Sequence, residues 1–367
     1  MLHCYGVTYR NLHVVRLYWW IMQLLDKSLT NITTYNEQDN ITSNMIDHIL
    51  GTTIILGFVG FLGFVGNLLV IIIYGIQCKR ATNRVFVVGL ALMDILVCST
   101  TLPSAIVELN KHTVYKFEAV CKVSYFFTYW FVISSALMLI PLSLDRYNRT
   151  CQLFKAQWKP KGAAIRVCIV YSVSILFSLP NLLVRGIQTH TSASNSTEQY
   201  CLFAEHYSDT WIPLVYNSLM FLIPITTIII LIVIYCLIAK NIFAQDRFRK
   251  QFQQSHLNTI SSAATNTKHQ TNQNLNREPN SNTCKITIVA FAIVVIFFLS
   301  YIPTSTLKVY ESVYEIDPYS TSQFTGILMA ARFAYLLNHI MNPFAYIALD
   351  KQFRHRVKML FCCENSI

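Results

Sequence analysis

The chain has 367 residues, 53% of them hydrophobic and only 13% charged, with a formal net charge of +11. That charged share is about half the ~25% of ordinary soluble domains, which argues against a soluble fold. The positive balance is accounted for by membrane topology, below, and so gives no reason to expect a nucleic-acid partner.

Residues 1–48 read as an extracellular tail. Within it Val14 to Leu25 is apolar but interrupted by Arg16, too short to span and not followed by a small-residue cleavage site. A loosely structured tail is the preferred reading. A poor signal peptide, an interfacial segment, or an upstream extension ahead of Met22 or Met45 are the alternatives. Asn31-Ile32-Thr33 and Asn40-Ile41-Thr42 are glycosylation acceptors in this tail.

From residue 49 to 348 the chain carries seven apolar runs long enough to cross a bilayer at about 20 residues each. They cover Ile49 to Ile76, Arg84 to Val107, Val120 to Tyr147, Ala163 to Val184, Trp211 to Ala239, Ile286 to Leu307 and Phe324 to Ala348. Each is continuous rather than alternating, so helices and not barrel strands are expected. The predicted fold is an all-α membrane protein, a seven-transmembrane helix bundle.

With the N-terminus outside, the inner side holds 20 Lys and Arg against 5 Asp and Glu, the outer side 9 against 12. Cationic loops stay cytoplasmic, so this orientation is expected. It also places the acceptor Asn195-Ser196-Thr197 outside and Asn148-Arg149-Thr150 inside, beyond reach of glycosylation. Of eleven cysteines, only Cys4, Cys121 and Cys201 lie on the oxidising side. Cys121 and Cys201, at the outer end of the third run and in the second outer loop, are the expected disulfide.

The inner segment 247–282 is rich in Asn, Gln, Ser and Thr and reads as a disordered loop. Residues 349–367 follow the seventh run as an amphipathic helix and short tail. There Phe353, Val357, Leu360 and Phe361 recur at helical spacing among Lys351, Arg354, Arg356 and Lys358, the pattern of a helix lying on membrane lipid. Cys362 and Cys363 are placed for palmitoylation, with plain thiols the alternative.

Polar groups in hydrocarbon are costly, so each one present should be paired, cavity-facing or functional. In order, the spans carry Gly66-Asn67, Leu90-Ala91-Leu92-Met93-Asp94, Asp145-Arg146-Tyr147, Pro224, Phe297-Phe298-Leu299-Ser300-Tyr301-Ile302-Pro303 and Asn342-Pro343-Phe344-Ala345-Tyr346. Any one could arise by chance. In this order and these spans they resemble rhodopsin-like G-protein-coupled receptors, over about Ile49 to Cys363.

The resemblance implies a plasma-membrane receptor that activates a heterotrimeric G protein and is regulated by arrestin and receptor kinases. Asp145, Arg146, Tyr147, Asn342, Pro343, Tyr346, Phe297, Pro303 and Pro224 would couple and activate. Asp145 would hold Arg146 at rest and release it as the spans separate. A sodium ion, the one cofactor implied, would sit among Asp94, Ser135, Asn338 and Asn342, with Asn67 nearby. Oxygen ligands suit a hard cation. A structural network around a protonated Asp94 is the alternative reading.

The chain also departs from the family. Tyr301 and Ser300 stand where tryptophan and cysteine are commoner, and the segment Asn282-Thr283-Cys284-Lys285 lacks the acidic partner that many relatives offer to the arginine. The fourth span lacks the usual tryptophan near Val170 and Tyr171. Ile232 replaces an inner tyrosine of the fifth span, and Tyr235 is not expected to substitute.

By resemblance the ligand pocket is lined by Tyr125, Thr128, Tyr129, Tyr301, Lys308 and Arg332. Thr128 stands where amine receptors carry an aspartate, and the seventh run has no lysine for a retinal Schiff base. A monoamine and ordinary photoreception are disfavoured. Arg332, with Lys308, should seek an anion in a watery cavity, unless Glu108 or Glu311 already pairs with it. The stretches Asp145 to Pro160 and Phe297 to Pro303 resemble invertebrate-type neuropeptide receptors, which points to a peptide agonist, a non-peptide small molecule being the second reading. No zinc-ligand spacing, phosphate loop or hydrolase elbow is present, so no enzyme is expected. A transporter or channel would show repeats between halves and broken midplane helices, and neither is visible.

Overall fold

The computed structural model describes residues 39–76, 82–110, 117–152, 156–191, 197–263, 281–313 and 326–361. The first span is Asp39–Val70 followed by a wider π-helical turn, Ile71–Ile76. The second is Thr82–Leu96, a π-helical turn Val97–Thr101, and Leu102–Asn110. The third is Glu118–Cys151, the fourth Pro160–Ser178 with a last turn Asn181–Val184, the fifth Ile212–Ala263 and the sixth Ser281–Val313.

Among the described residues, six helices are long and apolar enough to cross a bilayer, matching the first six predicted runs. The seventh run is helical but not continuous. It divides into Gly326–Phe333 and Leu336–Leu349, because the Thr304 hydroxyl is inserted between the two halves. That hydroxyl donates to the Ala331 carbonyl at 2.7 Å and accepts the Tyr335 N–H at 3.1 Å, so it occupies the rung these two backbone groups would otherwise share.

The bulge in the second span has a comparable cause. Pro103 cannot donate within the helix, and the hydroxyls of Ser99, Thr100 and Ser104 bond carbonyls three or four residues back.

The bundle is held by close approaches and buried polar ties as much as by apolar packing, as expected where lipid offers little driving force between helices. A Cβ on Gly66 would lie 2.8 Å from the Pro343 side chain, and one on Gly63 2.8 Å from Ile340. Only glycines let the first span reach the seventh this closely. Asn67 spans the same contact, its Nδ2 donating to the His339 carbonyl at 2.8 Å. Facing lipid, Ile54, Phe58, Phe61, Ile165, Leu176, Leu183, Ile229 and Ile232 are exposed, while Met138, Leu139, Leu231, Ile293 and Phe297 fill the centre.

Two features amend the sequence reading. The bundle is not purely helical: strands β1 (Arg185–Thr191) and β2 (Thr197–Phe203) form an antiparallel hairpin in the second outer loop, with Ile187 opposite Cys201. The fifth span runs on to Ala263, so 247–263 is helical rather than disordered. This stretch contains neither glycine nor proline and begins with helix-forming Arg, Lys and Gln residues. The rest of the predicted loop up to residue 280 lies outside the described residues.

The helix after the seventh span is Lys351–Phe361. Asp350 caps it, its carboxylate accepting the Phe353 N–H at 3.2 Å and the Tyr74 hydroxyl at 2.5 Å. Phe353 is buried, stacked on Tyr74 at 5.5 Å and near Tyr346 at 6.0 Å, which anchors the predicted apolar face to the bundle.

Candidate functional site

An outer cavity of about 80 Å³ lies between the spans. Of the predicted lining, Thr128, Tyr129, Tyr301 and Lys308 are present, joined by Val132, Asn217, Phe221, Thr304 and Tyr335. Lys308 is the one charged side chain among the lining residues. Its Nζ stands 5.2 Å over the Tyr129 ring and 3.5 Å from the Tyr129 hydroxyl. Tyr125 and Arg332 are not in the lining. Tyr125 instead stacks on Tyr129 at 6.4 Å and packs on the disulfide cluster.

Arg185, which the sequence reading passed over as an outer-loop cation, is buried beside this cavity at 5% exposure. Its guanidinium is sandwiched between the Tyr125 and Phe203 rings at 4.2 and 4.1 Å, and its Nε donates to Asn181 Oδ1 at 3.3 Å. None of these contacts is a carboxylate. The hairpin places it there, and Cys121–Cys201 ties that hairpin to the third span with Cα atoms 5.6 Å apart. The disulfide is as the sequence implied.

Tyr301 closes the cavity floor. Its ring meets Phe297 at 4.6 Å, and its hydroxyl lies 3.2 Å from the Val132 carbonyl and 3.3 Å from His339 Nε2. The other His339 nitrogen, Nδ1, is 2.8 Å from Asp94 Oδ1. Both residues are fully buried. Ser135 donates to the same Oδ1 at 2.8 Å and Asn342 Nδ2 to Oδ2 at 2.7 Å.

The expected sodium cage of Asp94, Ser135, Asn338 and Asn342 does not fit this arrangement. Asn338 is not among the partners of Asp94, whose two oxygens are taken by Ser135, His339 and Asn342. His339 was missed by sequence reasoning, although a histidine within a hydrocarbon-depth run is itself a signal that it has a polar partner.

At the inner end, Asp145 and Arg146 are both buried. Asp145 Oδ2 pairs with Arg149 Nε at 2.9 Å, one helical turn on. The expectation that Asp145 holds Arg146 is therefore corrected. Adjacent residues on a helix diverge by about 100°, whereas residues four apart share a face. Tyr147 is only partly buried at the edge of the core, and Tyr346 is buried within it.

Tyr235 is also buried there, its hydroxyl 3.4 Å from Ser143 Oγ and its ring 5.7 Å from Phe291, while Ile232 faces outward at 53% exposure. Contrary to expectation, Tyr235 supplies a tyrosine to the inner core from a position three residues on. In the fourth span Tyr171 likewise ties the second, its hydroxyl donating to the Gly89 carbonyl at 2.8 Å. Pro224 and Pro303 lie within the fifth and sixth helices and Pro343 within the seventh.

Asn31, Asn195, Cys362 and Cys363 lie outside the described residues, and Asn40 falls in the first turn of the first helix with its side chain undescribed.

An outer cavity is thus joined through Tyr301 and His339 to the buried polar core around Asp94. The chain matches the family described as 7 transmembrane receptor (rhodopsin family) over residues 66–346, and it belongs to that family. It is similar to cholecystokinin receptor type A of Homo sapiens, 23% identical over 347 residues, covering 82% of this chain and 78% of the relative. The same receptor type of Canis lupus familiaris is 22% identical and that of Cavia porcellus 23%, each with 82% and 78% coverage. The protein is thus a multi-pass membrane receptor of the rhodopsin family, which is not an enzyme family.

Proposed function

We propose that this chain is a plasma-membrane receptor, its N-terminus outside, whose agonist is an extracellular peptide bearing an anionic group. Agonist binding activates a heterotrimeric G protein. The observation carrying the ligand class is the cavity's charge: Lys308 is its one charged lining residue and Thr128 stands where an amine would need a carboxylate. Arg185, buried behind Tyr125, adds a second positive charge beside the cavity. A peptide carboxylate or acidic side chain is the complement to these groups, and a charge-assisted bond to Lys308 is worth about 1.5–3 kcal/mol. Similarity to cholecystokinin receptors supports a peptide.

A ligand shifts the equilibrium only through contacts that differ between states. Peptide contact at the cavity floor would displace the Tyr301 ring from Phe297. The sixth span, hinged at Pro303, would then swing outward and uncover the buried Arg146. The G protein enters that inner cleft, and arrestin and receptor kinases act on the same open form.

The test is a second-messenger assay in cells expressing the chain, challenged with acidic peptides, their amidated or neutralised analogues and a monoamine panel. Saturable responses to acidic peptides, weakened by neutralisation, are expected. An amine response would overturn the ligand assignment.

A further inference from the structure

We infer that His339 takes the place of a metal ion at Asp94, so that this receptor has no sodium site and its core is indifferent to sodium. Three observations carry this. First, both carboxylate oxygens are engaged: Oδ1 by Ser135 Oγ and His339 Nδ1, each at 2.8 Å, and Oδ2 by Asn342 Nδ2 at 2.7 Å. Second, Asp94 and His339 are at 0% exposure, so the carboxylate is shut off from solvent with the imidazole directly against it. Third, the residue is held at its ring and at its backbone. Its Nε2 meets the Tyr301 hydroxyl at 3.3 Å while its own backbone carbonyl accepts Asn67 Nδ2 at 2.8 Å.

The chemistry follows from these contacts. A proton sits between Nδ1 and Oδ1 whichever atom owns it, because two bare lone pairs 2.8 Å apart would repel. That hydrogen-bonded proton satisfies a buried carboxylate as a cation otherwise would. Sodium seeks oxygen ligands and would have to displace both the proton and the imidazole. Unbonded oxygens do remain on the buried side chains of Asn67, Asn338, Asn342 and Ser134, but they are neutral, and neither oxygen of Asp94 is among them. His339 also links the cavity floor to the network at Asn342, a connection that an ion would not make to Tyr301.

The test uses the purified full-length receptor without agonist, so its outcome is independent of the proposed ligand. Melting temperature is followed by intrinsic tryptophan fluorescence in sodium, potassium or N-methylglucamine chloride at equal ionic strength. Wild type should melt at the same temperature in all three. His339→Ser, which opens the space and offers a hydroxyl, should gain a sodium-specific rise of about 2–4 °C near tenfold its dissociation constant. His339→Thr serves where the serine variant does not accumulate. A sodium-specific rise in wild type that Asp94→Asn abolishes would overturn the inference. So would indifference to sodium in a folded His339→Ser or His339→Thr, because the ring would then not be what excludes the ion.

Discussion

Thr304 of the sixth span accepts the backbone N–H of Tyr335 in the seventh at 3.1 Å, and in doing so breaks the seventh helix. The same hydroxyl returns its proton to Ala331, so both severed backbone groups are satisfied within the bundle. The break lies one turn above His339, and Tyr335 itself lines the outer cavity. The sixth span, which must move on activation, is thereby bonded to the wall of the ligand cavity immediately after its Pro303 hinge.

Replacing Thr304 with valine keeps the shape but removes the acceptor of the Tyr335 N–H and leaves the Ala331 carbonyl only the long bond from the Ala334 N–H, 3.4 Å. A loss of about 1–3 kcal/mol is expected for leaving buried polar groups unpaired. Thermal melts of the purified variant should show it, and Thr304→Ser should restore most of the loss. A valine variant that melts like wild type would refute the bridge.

Asp145 depends on Arg149 rather than on its neighbour. Arg149→Ala should destabilise the receptor by about 1–3 kcal/mol, below the cost for a fully buried pair because Arg149 is one-third exposed. Arg149→Lys should recover part of this. Melting temperature and surface expression together are the readout.

Arg146 lies buried at the inner end. Arg146→Ala should abolish agonist-stimulated nucleotide exchange while agonist affinity changes little. Exchange at the wild-type rate would remove this residue from the coupling role.

Lys308 carries the proposed anion contact. Lys308→Ala should lower the potency of an acidic peptide agonist at least tenfold, and that of its neutralised analogue by much less. Equal losses for the two peptides would mean that the lysine shapes the cavity without reading charge.

Cys121→Ser should impair surface expression or agonist binding. The disulfide is what holds the β1–β2 hairpin, with Arg185 at its start, against the third span. Surface labelling and saturation binding separate the two effects.

The first six spans, the pairing of Cys121 with Cys201 and the apolar face built on Phe353 were legible in the chain, because each follows from local composition or position. The outer cavity was legible in four of its six expected lining residues, Thr128, Tyr129, Tyr301 and Lys308, through the family resemblance. Arg185 was not, because a short hairpin folds it back over Tyr125 and nothing in its own stretch marks the return. Tyr235 was missed for a related reason. The rotation of the fifth helix decides which side chain faces Ser143, and that is not written in the spacing along the chain.

What the sequence by itself determined is the solvent of this protein and its orientation. Hydrophobicity over about 20 residues selects the bilayer, and the asymmetry of Lys and Arg selects the side, both being sums along the chain. Its ordered polar motifs also determined the family. What only the tertiary structure decided is which distant groups meet the buried polar ones. Asp94 is met by a histidine 245 residues away, and the gap in the seventh helix by a hydroxyl from the sixth. A buried charge must find its partner among whatever the packed helices bring within about 3 Å, and that is fixed by helix rotation and approach rather than by any local stretch of residues.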